Sequence, residues 1–389
     1  MLRFHPLRVA EIRPDAEDSV VISLDASDEV QGEYRGLAGQ HVVLRTRIDG
    51  IETRRTYSPF SPPGQWPMQM AVRVHPNGLM SRHLANDLRV GDQIDVLAPN
   101  GSLTPRFCAG HTHVGFASGC GITPVLSIAR ALLAADPRNR FILFYGNTST
   151  SRVMCLEELQ ALKDRHIERL ALHFVMSREP QEVDLYNGRL DSQRVRRFAQ
   201  SLFDPMAVAE YFVCGPGHMI EEITDALRDC GVQADRIHGE HFTVESREGA
   251  AAAPGRSDAQ KPAEAEAPGR SVAQKPAEAA APGRSVARKP AEAAADSAEV
   301  TVIMDGRRRS FSMRMNSENV LEAAARAGLE LPFSCRAGVC STCRTKVIRG
   351  EVEMAENYAL EAWELQAGYV LACQSRVKTP VLELDYDEK

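Results

Sequence analysis

The amino-acid sequence predicts a multidomain chain in which an antiparallel β domain, an α/β domain, a disordered linker and a small α+β domain follow one another. Three observations support this prediction. The hydrophobic pattern changes near residue 106, a 14-residue unit occurs three times within residues 253–294, and four of the nine cysteines lie in the final 55 residues. A chain of 389 residues is long enough for two or three domains of ordinary size. We place the four regions at residues 1–106, 107–248, 249–296 and 297–389.

Residues 1–106 combine short apolar segments with residues that favour turns. Proline and glycine separate these segments, as at Gly64, Pro67 and Gly91. Short strands at regular spacing, bounded by turn signals, are typical of an antiparallel sandwich or barrel. The apolar segments are residues 19–24, 40–44, 69–74 and 93–97.

Residues 107–248 alternate between strand-like and helix-like segments. Such alternation is typical of a parallel sheet whose strands are joined by crossover helices, so we expect a Rossmann-like domain. The expected strands are residues 114–116, 141–145, 170–175 and 211–213, and the expected helices are residues 124–134, 156–163 and 219–227.

The third region consists largely of the repeated unit, whose first copy reads APGRSDAQKPAEAE. Over residues 249–295 the only large apolar side chains are Val272 and Val286, and aromatic residues are absent. Such a segment cannot bury enough apolar surface to offset the entropy lost on ordering. We therefore expect a solvated tether, with a binding motif in three copies as the alternative.

The last region begins with two strand-like segments, residues 300–304 and 309–313, on either side of an Asp-Gly turn. A helix is expected over residues 319–327, ending before Gly328, which suits the position after a helix C-terminus. A final strand is expected over residues 381–384. These elements predict a small sheet packed on one helix.

Composition and charge exclude several functional classes. The chain carries 46 basic and 52 acidic side chains, which give a net charge of −6. This balance argues against nucleic acid or an anionic membrane as the partner. No run of about 18 apolar residues indicates a membrane-spanning helix, and the first residues lack a signal peptide. We expect a cytoplasmic protein, in which thiols serve metal binding or catalysis before disulfides.

The cysteines of the last region follow the pattern Cys335-x4-Cys340-x2-Cys343, with 29 residues between Cys343 and Cys373. This is the plant-type spacing for a [2Fe–2S] cluster, in which four thiolates hold two irons. Gly338 permits the tight turn that such a loop needs. Zinc sites usually contain paired C-x2–4-C motifs, which this triplet matches poorly. We therefore predict that the four cysteines are iron ligands.

Residues 297–389 resemble plant-type ferredoxins, in the helix before the loop, in the loop itself and in the segment around Cys373. Residues 1–245 resemble the ferredoxin–NADP reductase family. The motifs that carry this second resemblance are Arg55-Thr56-Tyr57-Ser58, Gly78-Leu79-Met80-Ser81, Gly119-Cys120-Gly121-Ile122-Thr123-Pro124, Tyr145-Gly146-Asn147 and Cys214-Gly215-Pro216. The resemblance implies a β-barrel that binds FAD, a nucleotide-binding α/β domain and a β-grasp ferredoxin domain.

The resemblance assigns FAD contacts to the first domain. Arg55 would pair with the pyrophosphate, Tyr57 would offer a flat face to the isoalloxazine ring, and Ser58 would lie within hydrogen-bond reach of flavin N5. The alternative for this motif is an ordinary surface at a sheet edge. The other positions implied to contact FAD are Val72 and Val74, through the main chain, and Gly78, Met80 and Ser81.

The resemblance also assigns nicotinamide contacts. Cys214 would lie beside the nicotinamide ring, and Ser177 with Arg178 would hold the 2′-phosphate of NADPH, with NADH as the open alternative. Glu240 would join a polar relay, and Phe242 would cover the flavin. A plain exposed arginine after a strand is the alternative for Arg178. The remaining implied contacts are Gly119, Gly121, Thr123, Gly215 and Pro216, at a strand end where nucleotides bind in α/β folds. Cys108, Cys120, Cys155 and Cys230 are interpreted as bystanders.

The order of the domains resembles the reductase components of phenylacetyl-CoA epoxidase-type oxygenases. Shared segments include residues 4–9, 187–191, 356–361 and 367–374. This resemblance implies electron flow from NADPH through FAD and the [2Fe–2S] cluster to a terminal diiron oxygenase. The alternatives are another acceptor, such as a steroid or CoA-ester hydroxylase, a desaturase or a hybrid-cluster protein, and a flavin oxidase with a zinc-bound C-terminal domain.

Overall fold

The computed structural model describes residues 3–107, 109–241, 297–360 and 362–388. These residues form three main sheets, in the predicted order of antiparallel, parallel and mixed strands. The predicted fold class is thereby confirmed. The linker interpretation of residues 249–296 and the assignments to Phe242 and Cys108 lie outside the described residues. Among the helices within the described ranges, none combines the length and apolar character needed to cross a bilayer.

The first sheet has six antiparallel strands in the order β4-β3-β6-β1-β2-β5. Its two edges approach each other, because Pro59 pairs with Met70 in an isolated bridge and the Phe60 N–H donates to the Gln69 carbonyl at 2.9 Å. The sheet thus closes as a barrel. Its strands are β1 Phe4–Pro14, β2 Ser19–Asp25, β3 His41–Ile48, β4 Ile51–Tyr57, β5 Met68–Arg73 and β6 Gln93–Asn100, with short helices α1 Asp28–Gln31 and α2 Leu79–Arg82.

Strands β1 and β4 have no counterpart among the apolar segments of the sequence. In β1, buried residues such as Leu7 and Val9 alternate with exposed ones. Strand β4 lies at the sheet edge and reads Ile-Glu-Thr-Arg-Arg-Thr-Tyr, with only two buried side chains. Since neither strand contains a continuous apolar run, a search for such runs does not detect them.

The second sheet has five parallel strands in the order β11-β10-β7-β8-β9. Its core includes Phe144, whose ring stacks on Phe116, His173 and Phe198 at centroid distances of 5.1, 4.9 and 4.2 Å. The elements are β7 Thr112–Ser118, β8 Arg140–Asn147, β9 Leu170–Met176, β10 Val208–Gly215 and β11 Ile237–His241, with helices α3 Ile122–Ala135, α4 Leu156–Arg165, α5 Ser192–Ser201 and α6 Gly217–Asp229.

The third sheet has the order β13-β12-β18-β14-β16, with a separate β15-β17 ribbon. The predicted hairpin turn is present, since Asp305 and Gly306 both have positive φ, at 53° and 68°. The predicted helix starts at an Asn319 cap whose side chain accepts the Glu322 N–H at 2.9 Å. The elements are β12 Ser297–Met304, β13 Arg307–Arg314, β14 Arg344–Arg349, β15 Val352–Met354, β16 Tyr369–Leu371, β17 Ser375–Val377 and β18 Val381–Asp385, with helices α7 Val320–Arg326 and α8 Ala362–Gln366.

The turn between β7 and α3 packs directly on the end of β10. A Cβ atom at Gly121 would lie 2.2 Å from the Cys214 carbonyl oxygen and 3.0 Å from the Gly215 nitrogen. Only glycine therefore permits this approach of two backbones. The contact brings the glycine turn and Cys214 together at the carboxyl edge of the parallel sheet.

We expect Gly121→Ala to destabilise the chain by about 1–3 kcal/mol, because the added methyl group must displace backbone atoms. The matched control is Gly32→Ala, where a Cβ would meet no heavy atom within 4 Å, so that its effect should stay within about 0.5 kcal/mol. Urea unfolding of the two variants and the wild type measures the difference. Equal midpoints for both variants would contradict the packing argument.

Candidate functional site

The four predicted iron ligands come together in two pairs. The thiols of Cys335 and Cys340 form a hydrogen bond, as do those of Cys343 and Cys373. Cys335 also acts electrostatically on Cys373, and Cys340 on Cys343, so that the two pairs lie near each other. Three of the four side chains are buried, and only Cys335 is half-exposed. The folded chain therefore collects residues from the loop and from the β16–β17 connection at one place.

The backbone of this loop is shaped around the sulfurs. Arg336, Gly338 and Ser341 have positive φ, at 54°, 76° and 48°. These turns aim N–H groups inward, so that the Ala337 N–H donates to Cys335 Sγ at 3.4 Å. The hydrogen bond from the Cys340 thiol and those from the backbone lower the pKa of Cys335 to about 6. Such donors favour the thiolate, which is the form that binds metal.

The arrangement fits two irons better than one zinc ion. In the described part of the chain, no three of the four sulfurs lie within 4.8 Å of one another. A tetrahedral zinc site with Zn–S bonds of about 2.3 Å would place its sulfurs about 3.8 Å apart. Two pairs of thiolates instead offer two ligands to each iron of a [2Fe–2S] cluster.

Strand β4 carries Arg55 and Tyr57, and Ser58 follows it directly; all three are predicted to contact the flavin. The Ser58 side chain is 2% exposed, and its hydroxyl has no hydrogen-bond partner among the described residues. A buried hydroxyl without a partner is costly, so a ligand atom at this place would satisfy it. Burial raises the pKa of the neighbouring Tyr57 phenol, which lies near Arg55 and Cys120. This chemistry fits a large aromatic ligand that carries a hydrogen-bonding ring atom.

Other predicted FAD positions serve the barrel itself in this structure. The Ser81 hydroxyl accepts the His75 N–H at 3.1 Å and donates to the Gly78 carbonyl at 3.3 Å, which closes the turn before α2. The side chains of Val72 and Met80 lie in the barrel core. The Val74 N–H donates to the Asp18 carbonyl at 2.7 Å. Val72 and Met80 could therefore contact a ligand only through the main chain.

The predicted nucleotide residues meet at the carboxyl edge of the parallel sheet. Gly119 has a φ of 53°, and its carbonyl accepts the Tyr145 hydroxyl at 2.9 Å. The Thr123 hydroxyl donates to the Cys120 carbonyl at 3.1 Å, which holds the start of α3. Gly215 leaves room for the Met219 side chain, and Pro216 precedes α6. The glycine turn is therefore fixed by bonds to its own surroundings.

Cys214 lies at the end of β10, directly opposite Glu240 of β11 in the strand register. Its thiol is fully buried, and burial raises its pKa well above the usual range, with the nearby Glu240 and Cys120 adding to the effect. The thiol is therefore neutral and offers a small, uncharged contact. Cys120, interpreted from sequence as a bystander, lies close enough to raise the pKa of both this thiol and the Tyr57 phenol.

Ser177 and Arg178 follow β9 at the same edge. Their backbone N–H groups donate to the carbonyls of Asn147 and Thr148, both at 2.9 Å. The Arg178 side chain is exposed, and its guanidinium has no hydrogen-bond or ion-pair partner within the described ranges. A free cation at a sheet edge is available for an anionic group.

Two residues of the site gave no signal in the sequence. His41 of β3 lies between Glu240 and Thr342, with Nδ1 3.0 Å from Glu240 Oε1 and Nε2 3.5 Å from Thr342 Oγ1. Arg54 of β4 is 6% exposed, bonds Glu330 at 2.6 Å and lies 4.3 Å from the centre of the Phe333 ring. A lone histidine and a second arginine beside Arg55 form no motif, and only the fold shows their partners.

Three family models match the chain in the order that the sequence predicts. The oxidoreductase FAD-binding domain matches residues 16–104, the oxidoreductase NAD-binding domain matches residues 116–225, and the 2Fe-2S iron-sulfur cluster binding domain matches residues 302–378. The predicted cofactor classes and the assignment as an oxidoreductase are thereby confirmed. The individual site residues and the domain limits remain predictions.

Relatives share this arrangement over their whole length. One of the subunits of 1,2-phenylacetyl-CoA epoxidase from Escherichia coli strain K12 is 33% identical, over 100% of this chain and 99% of the relative. The ferredoxin reductase component of 3-ketosteroid-9-alpha-monooxygenase from Rhodococcus rhodochrous is 27% identical, over 98% and 96%. The structure of phthalate dioxygenase reductase matches with a TM-score of 0.56 and 21% identity, covering 98% of both chains. The chain therefore belongs to the family of three-domain oxygenase reductases that includes the phenylacetyl-CoA epoxidase subunit.

Proposed function

We propose that this chain takes electrons from NADPH and delivers them singly to a cytoplasmic diiron oxygenase that acts on a CoA ester. One observation carries the electron path. Thr342, within the cysteine loop, contacts His41, and the next residue of β3, Val42, pairs with Tyr57. The cysteine loop thus contacts the barrel beside β4. This strand ends at Tyr57, and Ser58 is the next residue.

The residues around this contact would have the following roles. When bound, FAD accepts two electrons together as hydride and releases them singly, which is the unit that a [2Fe–2S] cluster can hold. Ser58 would donate its free hydroxyl hydrogen to the flavin, and Tyr57 would hold the ring by its face. Arg55 would neutralise pyrophosphate charge. Cys335, Cys340, Cys343 and Cys373 would hold the two irons.

At the nucleotide edge, Gly119 would let phosphates approach the start of α3, where backbone N–H groups are available, and Gly121 would hold this turn against the end of β10. Cys214 would set the position of the nicotinamide ring without adding charge. Arg178 would select NADPH by pairing with its 2′-phosphate. Its guanidinium, which is exposed and has no partner among the described residues, supports this role.

The acceptor is proposed from the relatives. The relative at 33% identity is a component of phenylacetyl-CoA epoxidase, whereas the ketosteroid monooxygenase component is 27% identical. Greater similarity over the full length favours a CoA-ester epoxidase as the terminal enzyme. A steroid-type hydroxylase is the second candidate, because its reductase shares the same three domains in full.

We expect Cys340→Ser to lower cytochrome c reduction by about 100-fold or more, because a lost ligand disturbs the cluster at least as much as a lost outer-shell partner. NADPH-dependent ferricyanide reduction, which the flavin supports alone, should remain. The measurement is steady-state turnover with each acceptor, together with the visible spectrum. The control is Cys230→Ser, at the half-buried C-terminus of α6. Loss of both activities in Cys340→Ser, or no iron–sulfur absorption in the wild type, would contradict the modular path.

We expect Arg178→Ala to lower the NADPH/NADH ratio of kcat/KM about tenfold, as for loss of one charge-assisted hydrogen bond that is partly screened by solvent. The matched control is Arg140→Ala, an exposed arginine at the opposite end of the parallel strands. Ferricyanide reduction with both nucleotides gives the ratio. An unchanged ratio in Arg178→Ala would remove the basis for NADPH selection by this residue.

We expect the full chain with NADPH to support oxygen-dependent conversion of phenylacetyl-CoA by a purified diiron epoxidase. Product formation and NADPH consumption should be coupled, and the Cys340→Ser variant should support neither beyond background. A ketosteroid hydroxylase assayed in parallel provides the comparison. Turnover of the steroid system alone would overturn the proposed acceptor while leaving the electron path intact.

A further inference from the structure

We propose that His41 is a positioning residue that links the ferredoxin loop to the nicotinamide edge, so that one side chain aligns both ends of the electron path. The inference rests on the proposed function and adds a residue to it. His41 lies in β3, outside every motif of the sequence. Its two ring nitrogens face two other domains of the chain.

The ring of His41 is held rigidly. The side chain is 2% exposed. The backbone of Gly101 lies against it, since a Cβ there would approach His41 Nδ1 to 2.9 Å, and Gly101 has a φ of 119°. A ring confined in this way presents its two nitrogens in fixed directions. Buried polar atoms of this kind require partners on both sides.

The first partner is Glu240, whose Oε1 lies 3.0 Å from Nδ1. Glu240 is the register partner of Cys214, the residue proposed to contact nicotinamide. The second carboxylate oxygen, Oε2, is buried and has no hydrogen-bond partner among the described residues. The His41 contact therefore orients a carboxylate that keeps one free oxygen at the nucleotide edge.

The second partner is Thr342, which stands between the predicted iron ligands Cys340 and Cys343. The Thr342 hydroxyl is buried and donates to the Cys340 carbonyl at 3.3 Å. The same hydroxyl lies 3.5 Å from His41 Nε2, within hydrogen-bond reach, and the imidazole tautomer decides which of the two groups donates. Lifting the loop away would break this contact and remove one partner of the His41 ring.

Arg54 supports the same docked arrangement from the other flank of the loop, through Glu330 and Phe333. The His41–Thr342 contact is a second, separate point of attachment, inside the cysteine loop itself. Two separated contacts restrict the rotation of the loop more than one contact does.

Four variants of the full, cofactor-loaded chain test the His41–Glu240 contact and the His41–Thr342 contact separately. His41→Asn keeps a polar group near the Nδ1 position and loses the reach to Thr342. His41→Gln extends to the Nε2 position and loses the geometry at Glu240. Thr342→Val removes the hydroxyl at equal volume, and Thr342→Ser restores it. The control is His111→Gln, an exposed histidine at the far end of the parallel sheet.

Two measurements are made on each variant. Rapid mixing with NADPH gives separate rates for flavin reduction, from its absorption, and for cluster reduction, from the electron paramagnetic resonance of freeze-quenched samples. Hydrogen exchange of the oxidised chain reports docking without turnover. Exchange is measured in the domain that faces the substituted residue. The segment is residues 330–342 for the His41 variants and residues 41–57 for the Thr342 variants.

We expect His41→Asn and Thr342→Val to slow cluster reduction about tenfold and to speed exchange in the opposite segment about tenfold, equivalent to about 1.4 kcal/mol. The rate of flavin reduction in these two variants should remain within about twofold of the wild-type rate, because the contacts of the nucleotide site itself are kept. Thr342→Ser should restore both values. His41→Gln should instead slow flavin reduction by NADPH, because Glu240 loses its orienting partner.

Unchanged exchange and unchanged cluster reduction in His41→Asn and Thr342→Val would overturn the inference. Equal loss in Thr342→Val and Thr342→Ser would overturn it as well, because the hydroxyl would then be irrelevant. A wild type that reduces its flavin but never its cluster would instead refute the proposed function. The two failures are therefore distinguishable.

Discussion

The arrangement of the described domains depends on a buried cation. Arg54 has its guanidinium in the contact between barrel and ferredoxin, where a charge is tolerated only if it is paired. Glu52 accepts from its Nε at 2.9 Å, Glu330 bonds it at 2.6 Å, and Phe333 covers its face. Removing the ferredoxin would strip two of these three partners. In the docked state Glu330 and Phe333 take the place of water around this charge, and the same contact holds the ferredoxin beside β4.

Two non-glycine residues of the cysteine loop have a strained backbone. Arg336 and Ser341 adopt left-handed conformations that cost a non-glycine residue about 1–2 kcal/mol each. The Gln374 amide donates to the Arg336 carbonyl at 2.9 Å, which holds one of these turns from the β16–β17 connection. Strain of this kind persists where surrounding structure determines it, and it clusters at functional sites. In the cysteine loop, these left-handed turns direct backbone N–H groups toward the sulfur atoms.

Sequence alone predicted the features that are local along the chain. The cysteine spacing, the glycine turn at residues 119–121 and the alternating strands of the parallel sheet each occupy a short segment, so a pattern can report them. The bridge through His41 could not be predicted, because Glu240 lies 199 positions away and Thr342 lies 301 positions away. The role of Ser81 in closing its own turn was also hidden, since a motif names a residue type and not the direction of its hydroxyl.

Docking through side chains has a consequence for how the gene can change. The ferredoxin is seated by Arg54 and His41, whose partners lie on folded elements and not in the repeated segment. For a 47-residue tether of the kind that its composition predicts, gain or loss of one 14-residue copy by recombination would alter the free energy of loop closure by only about 0.2–0.3 kcal/mol. For a tether of this predicted kind, a change in copy number would therefore have little effect on docking through Arg54 and His41, and its length could change without altering the proposed electron path.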